Sequence, residues 1–196
     1  MRLNMETYYK TFQGELPVVS GAYGYGQYDL TTLPAAFPSL EGEPVLCRNG
    51  YHFCKREHLV QHLSTHIAIV VIKGGIVWGE DKGVTCDEIV VRRLLPTWNP
   101  QTQQLFAADC AAKVAHLAND ERVTNAITTA RKFVLREATT KQLSDARAAA
   151  WDAARAAAWA AQDAARAAAW AAQTELLFDW LEGRRTLDTV RQELDS

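Results

Sequence analysis

An excess of either charge is missing from this chain. Over 196 residues, 21 lysines and arginines stand against 23 aspartates and glutamates, a net of -2. The balance holds in each half: residues 1–100 carry 9 of the basic and 10 of the acidic side chains, leaving 12 and 13 for residues 101–196. Such a distribution excludes a dedicated nucleic-acid binder with a basic arm, and a membrane-lytic helix with a cationic face. Long apolar runs are missing too, none reaching the roughly 18 residues of a membrane-spanning helix. The opening MRLNMETYYK has no apolar core behind Arg2, so no secretory signal is expected. Cysteine is scarce. Cys47, Cys54, Cys86 and Cys110 do not make a disulfide framework in a chain of this length, which predicts a reduced, cytoplasmic protein. Also absent are a phosphate-cradling glycine loop, a nucleophile elbow and a metalloprotease motif.

What is present divides into two halves. In the first, ETYYKTFQ (6–13) has the composition of a strand, and a Gly/Pro-rich stretch from Gly14 to Pro44, including GAYGYGQYD, reads as turns and loop. THIAIVVIKG (65–74) and GIVWGE (75–80) flank Gly74-Gly75, the signal of a hairpin, and CDEIVVRRLL (86–95) supplies a further strand. KREHLVQHLSTH (55–66) places Leu59 and Leu63 on one face of a short helix. At Leu95-Pro96-Thr97-Trp98-Asn99-Pro100 the character changes, and proline does not recur. Asn99 can cap a helix whose first residue is Pro100. Helices are predicted near 100–118, 121–137, 140–182 and 187–194, with Thr139 and Gln142 spaced as a capping box, Gly183 as a stop and Thr186 as a cap. The expected class is α+β: a small N-terminal antiparallel sheet domain with one helix (1–96), then an all-α bundle (97–196) containing one long alanine-rich helix of roughly 63 Å.

Within that helix, DAARAAAWAAQ occurs twice in succession, at 152–162 and 163–173. Trp159 and Trp170 are 11 positions apart, three helical turns, and nearly share an azimuth. Leu177 falls at the angle of Trp159 and Leu181 about 40° round, at about 100° per residue. Arg155 and Arg166 precede the two indoles by four residues and can lie against the rings, while Asp152 and Asp163 can pair with the arginines. Such a stripe serves either to plug the rod against its own bundle or to dock a second copy or a foreign protein, since Trp and Arg dominate contacts of that kind. The residues that carry the docking reading are Arg155, Trp159, Arg166 and Trp170.

The densest chemistry lies in CRNGYHFCKREHLVQHLSTH, residues 47–66. Cys47, Cys54, His58 and His62 have the ligand types of a tetrahedral zinc site, although C-x6-C-x3-H-x3-H is not the spacing of a common finger. The competing reading makes the cysteines buried small hydrophobes and places His58, His62 and His66, spaced by four, along one exposed helix edge. His52 and Cys54 would share a strand face as a nucleophile pair, but no third group is placed to orient the base. No cofactor is expected.

Two resemblances add to this reading. The segment LFAADCAAKVAHLANDERVTNAITTARKFVLREA (105–138), followed by Ala/Arg/Trp repeats to 172, resembles a helical family named as immunity proteins. The likeness rests on Ala108-Asp109-Cys110-Ala111, then Asp120, then Ala126, Ala130 and Arg131. In the first half, Lys10, the stretch Cys47…Gly50-Tyr51-His52-Phe53-Cys54, and Ile89-Val90-Val91-Arg92-Arg93-Leu94 are similar to an uncharacterised domain of phage and prophage proteins. The resemblance implies a phage- or prophage-type intracellular binding protein that neutralises or modulates a bacterial protein target, a defence factor or toxin, by stoichiometric docking. The order of elements is also similar to ADP-ribosyltransferase-like folds, for which Lys10 and Glu88 are the residues that would act. A self-associating structural protein is the third expectation.

Overall fold

A computed structural model describes residues 7–21, 26–118, 120–160 and 165–195, without the side chains of 117, 152–160 and 165–169. The chain forms two compact units, Met1–Trp98 and Asn99–Ser196. The first is an antiparallel sheet domain and the second an all-α helical bundle. Among the described residues, no helix is long and apolar enough to cross a membrane.

In the first unit, β1 (Tyr8–Gln13) lies inside a six-stranded sheet. The others are β2 (Val18–Gly21), β3 (Gln27–Asp29), β4 (Ala35–Phe37), β6 (His66–Ile72) and β9 (Ile89–Leu94). Their order is β3-β2-β1-β6-β9-β4. A second sheet runs β5-β8-β7, from Tyr51–Phe53, Gly83–Thr85 and Val77–Trp78. Side chains alternate along a strand, so Tyr8, Lys10 and Phe12 share one face of β1. In the ladder with β6, Tyr8 stands opposite Val70 and Lys10 opposite Ala68. Tyr8, Phe12, Ala68 and Val70 belong to one buried cluster with Tyr28, Phe53 and Val91. Lys10 therefore occupies a core position. β1 is also in contact with a 3-10 helix, Arg56–His62, in which Leu59 is fully buried.

The structure departs from the expected first half in three places. The stretch predicted as loop contains β2, β3 and β4. These strands are three or four residues long, too short for a period of two to show between the glycines and prolines, and their ladder partners hold them. Gly74-Gly75 does not close a hairpin: β6 pairs with β1 and β9, whereas β7 pairs with β8 in the other sheet. Gly74 leaves room for the close approach of the Asp87 carboxylate. That carboxylate accepts the Gly75 N–H at 2.7 Å, and a Cβ on Gly74 would stand 1.9 Å from Asp87 Oδ2. The predicted helix over 55–66 is the shorter 3-10 turn, and His66 starts β6, so His58, His62 and His66 do not form one helix edge.

The second unit contains α1 (Pro100–Val114), α2 (Glu121–Val134), α3 (Thr140–Ala160), α4 (Ala165–Leu181) and α5 (Leu187–Leu194). Its capping is as the sequence predicts. The Asn99 side chain accepts the Gln101 and Thr102 N–H groups, and Thr139 and Gln142 bond reciprocally at 2.8 and 3.2 Å. Gly183 takes φ +74°, and Thr186 caps α5 in a box with Thr189. α3 lays Leu143, Ala146 and Ala150 inward, and it packs on α2.

One carboxylate ties the bundle together. Asp109 of α1, 3 % exposed, accepts from Arg131 of α2 at 2.6 Å and from the Trp180 indole of α4 at 3.0 Å. The Arg185 guanidinium closes the set with two further bonds to the same carboxylate, and it reaches Glu193 of α5 at 2.7 and 3.0 Å. That clasp overturns the single helix predicted over 140–182. Arg191 and Glu137 are 3.6 Å apart, and Arg131 and Arg185 meet on one side chain, so the start of α3 and the end of α4 are held in one region. A straight rod would separate those ends by roughly 60 Å. A single straight helix therefore does not join them: alanine repeats specify helix but not its continuity over 42 residues.

Replacing Asp109 with alanine takes the close partner from the largely buried Arg131 guanidinium and from the Trp180 N–H, and leaves Arg185 with Glu193 alone. The expected loss is about 3–5 kcal/mol of stability, read by denaturant unfolding with helical signal as the probe. A Gly50→Ala variant is expected to lose at least about 2 kcal/mol in the sheet unit. Gly50 has φ +118°, and a Cβ there would stand 2.5 Å from Val84 Cγ2 and 2.7 Å from the Thr85 carbonyl.

Candidate functional site

The first unit encloses a cavity of about 620 Å³, within the size range of small-molecule sites. Its position follows from one short contact. Tyr9 and Cys54 exchange backbone hydrogen bonds at 2.9 and 2.8 Å, which draws the end of β5 alongside β1. The His52 carbonyl then comes to 2.9 Å from Lys10 Nζ and accepts from it. The ammonium also lies 4.8 Å from the centre of the Tyr28 ring and 5.6 Å from that of Phe12. Lys10 is 5 % exposed, and burial pushes its pKa down to about 8.

The loop before β5 forms another part of the cavity wall. Cys47 takes a positive φ of 61°, and its backbone N–H donates to His52 Nε2 at 2.8 Å. A ring accepting at Nε2 carries its proton on Nδ1 and is neutral. Burial first, then the Lys10 and Lys82 cations, hold the His52 pKa below its ordinary value. The Asn49 amide fastens the loop by donating to the Glu41 and Glu43 carbonyls, each at 3.0 Å. Phe37, Tyr51 and Phe53 add rings to the lining, and Arg48 and Lys82 add cations. No carboxylate is found among the described lining residues.

The residues singled out from the sequence are distributed differently than they would be in a shared site. Cys47, Cys54 and His62 border the cavity, but among the described residues no three His, Cys, Asp or Glu side chains gather as metal ligands. His62 Nε2 lies 3.1 Å from the Asp81 carboxylate, and Cys54 is buried with its Sγ 3.7 Å from the Tyr9 carbonyl. Burial pushes the Cys54 thiol up to about 12, which opposes a thiolate, and the Nε2 of His52 is occupied by the Cys47 N–H. The Cys–His nucleophile pair is thus not assembled. Lys10 and Glu88 are not brought together either. Lys10 faces Ala68 in the ladder, whereas Glu88 bonds Lys73 at 2.6 Å, five residues farther along, roughly 16 Å of strand.

In the helical unit, Trp170 is 44 % exposed and Trp151 71 %, whereas Trp180 is 1 % exposed. Trp170 precedes Leu177 by seven residues, about 20° off the same azimuth, and Leu177 is fully buried. The inward stripe of α4 therefore runs on past the part that its own bundle covers. The side chains of Arg155, Trp159 and Arg166 lie outside the described residues. The angular match expected between Trp159 and Leu177 likewise involves a side chain outside the described residues. Sequence reasoning missed Trp151, which falls off the 11-residue period, and Lys10 as a cavity residue. Asp109 and Arg131 appeared only as motif letters, without their mutual contact.

Comparison with protein-family models, curated proteins and solved structures finds no match to this chain.

The buried ammonium has a measurable signature. The unfolded chain keeps the Lys10 proton up to about 10.5, whereas the folded chain releases it at about 8. Between those values the unfolded state binds more protons, so the cost of burying the charge disappears as pH rises. Lys10→Met is expected to stabilise the chain at pH 7 by about 1–3 kcal/mol, after allowing for the lost hydrogen bond, and the gain should shrink toward pH 10. Urea unfolding of both proteins across that range checks it; a gain that grows with pH contradicts it.

Proposed function

We propose that this chain is a binding protein of phage or prophage type that docks a bacterial protein target, a defence factor or toxin, and neutralises or modulates it stoichiometrically. The observation that carries the reading is the uncovered indole on an inward stripe: Trp170 continues the line of Leu177 but remains 44 % exposed. Trp151, 71 % exposed, stands on α3. Counting about 1.5 Å per residue, Trp151 lies about 14 Å along α3 from Ala160, and Trp170 about 8 Å along α4 from Ala165. Large apolar side chains uncovered on helices of alanine fit a contact surface, because Trp gives the largest buried area per residue and alanine lets a partner approach closely. The resemblance of 105–138 to the immunity-protein family supports the kind of partner. Arg155, Trp159 and Arg166 are the further residues proposed for the contact.

The test uses the full chain against extract of a bacterial host, with the captured protein identified by mass and then purified for direct titration. The expected result is a 1:1 complex that the double variant Trp151→Ser/Trp170→Ser weakens at least tenfold while retaining its helical circular dichroism. Undiminished binding by that folded variant removes the indoles from the contact. Concentration-dependent dimerisation by light scattering, lost in the double variant, assigns the surface to a second copy and rejects a foreign target.

A further inference from the structure

The cavity of the first unit is a separate feature that docking by the second unit does not use. We propose that it binds a small organic anion of mononucleotide size, an aromatic or heteroaromatic ring bearing a phosphate or carboxylate, with the anionic group seated on Lys10. Four observations converge on that class.

Lys10 occupies a core position between Tyr8 and Phe12, where an apolar residue would satisfy the packing without desolvating a charge. Its compensation is a neutral carbonyl and two ring faces. An ammonium held this way lacks, among the described residues, the countercharge that usually accompanies a buried cation, and an entering anion supplies it. Arg48 and Lys82 line the same cavity, so the charge of the lining has one sign among the described residues. In a chain of net -2, such segregation is local and not a reflection of composition.

The remainder of the wall selects the body of the ligand. Tyr28 lies beneath the ammonium and meets Phe37 edge-to-face, with ring centres 5.0 Å apart. Tyr51 stands 6.2 Å from Tyr28, and its hydroxyl donates to the Pro38 carbonyl at 2.8 Å, which fixes the ring. Rings held in place next to a cation suit a flat group that can stack while its acidic end reaches the amine. A volume of about 620 Å³ is ample for one ring and one charged group. The neutral His52 has its Nε2 occupied by the loop and acts as a wall, not as a further charge.

Isothermal titration of the full chain tests this with four probes. Adenosine 5′-monophosphate and 4-hydroxyphenylacetate carry ring and charge; adenosine carries the ring alone, and inorganic phosphate the charge alone. At least one of the first two is expected to bind, ten-fold or more tighter than adenosine and phosphate, and the better one distinguishes phosphate from carboxylate. Lys10→Met should weaken that probe at least tenfold in a chain whose thermal unfolding remains cooperative. Arg48→Gln, at an exposed position that cannot disturb the core, should weaken it about threefold, and it provides the reading should Lys10→Met not fold. The proposal is overturned if adenosine binds as tightly as its monophosphate, if no probe binds at millimolar concentration, or if both folded variants bind like the parent.

Discussion

The Asp109 carboxylate decides the form of the helical unit. It receives Arg131 from α2, and Trp180 and Arg185 from the end of α4 and the turn after it, while itself only 3 % exposed. A carboxylate buried so deeply is tolerable because each oxygen is occupied by charged or indole donors. Glu193 extends the set, and its pKa is held down chiefly by its bonds to Arg185. Once these groups meet, the alanine-rich segment must return on itself, since its two ends are secured to neighbouring points. Reversal in turn determines where the indoles go. Leu177 and Trp180 fall within the clasped part of the bundle, and Trp151 and Trp170 lie beyond it.

Lys10 presents the opposite case within the sheet unit. It too is a buried charge, yet a carbonyl and aromatic faces stand where Asp109 has opposite charges. The two groups show how the same physical cost has different consequences. A charge fully met by countercharges closes a structure, whereas one met only by dipoles and ring faces leaves an electrostatic demand that an incoming anion can satisfy. The cavity around Lys10 makes that demand accessible. Gly50 and Cys47 maintain it by taking positive φ values in the loop that places the neutral His52 ring.

Legibility of the sequence follows the range of the interactions involved. Asn99, Thr139, Gly183 and Thr186 were readable because a cap is decided within three or four residues. β1 and β9 were readable from apolar, β-prone runs, whereas β2, β3 and β4 were hidden among glycines and prolines and exist through their ladders. Gly74-Gly75 misled for a related reason, since the close approach of Asp87 leaves the same mark in sequence as a tight hairpin. For the candidate sites, Trp170 was visible through the 11-residue period, and Trp151 was not, because it stands off that period. Lys10 and the residues around Cys47 and His52 were visible as letters, but their convergence on one cavity was not.

Local pattern alone thus determined an antiparallel sheet half, a helical half, and the ends of most helices, because each of these depends on backbone propensity and hydrogen bonds between near neighbours in the chain. Tertiary structure alone decided that the two ends of the alanine segment are held near one another, that Asp109 joins distant parts of one unit, and that Lys10 faces a cavity without a described carboxylate. Those outcomes depend on groups tens of residues apart, and the energy of burying a charge is set by what the whole fold places beside it.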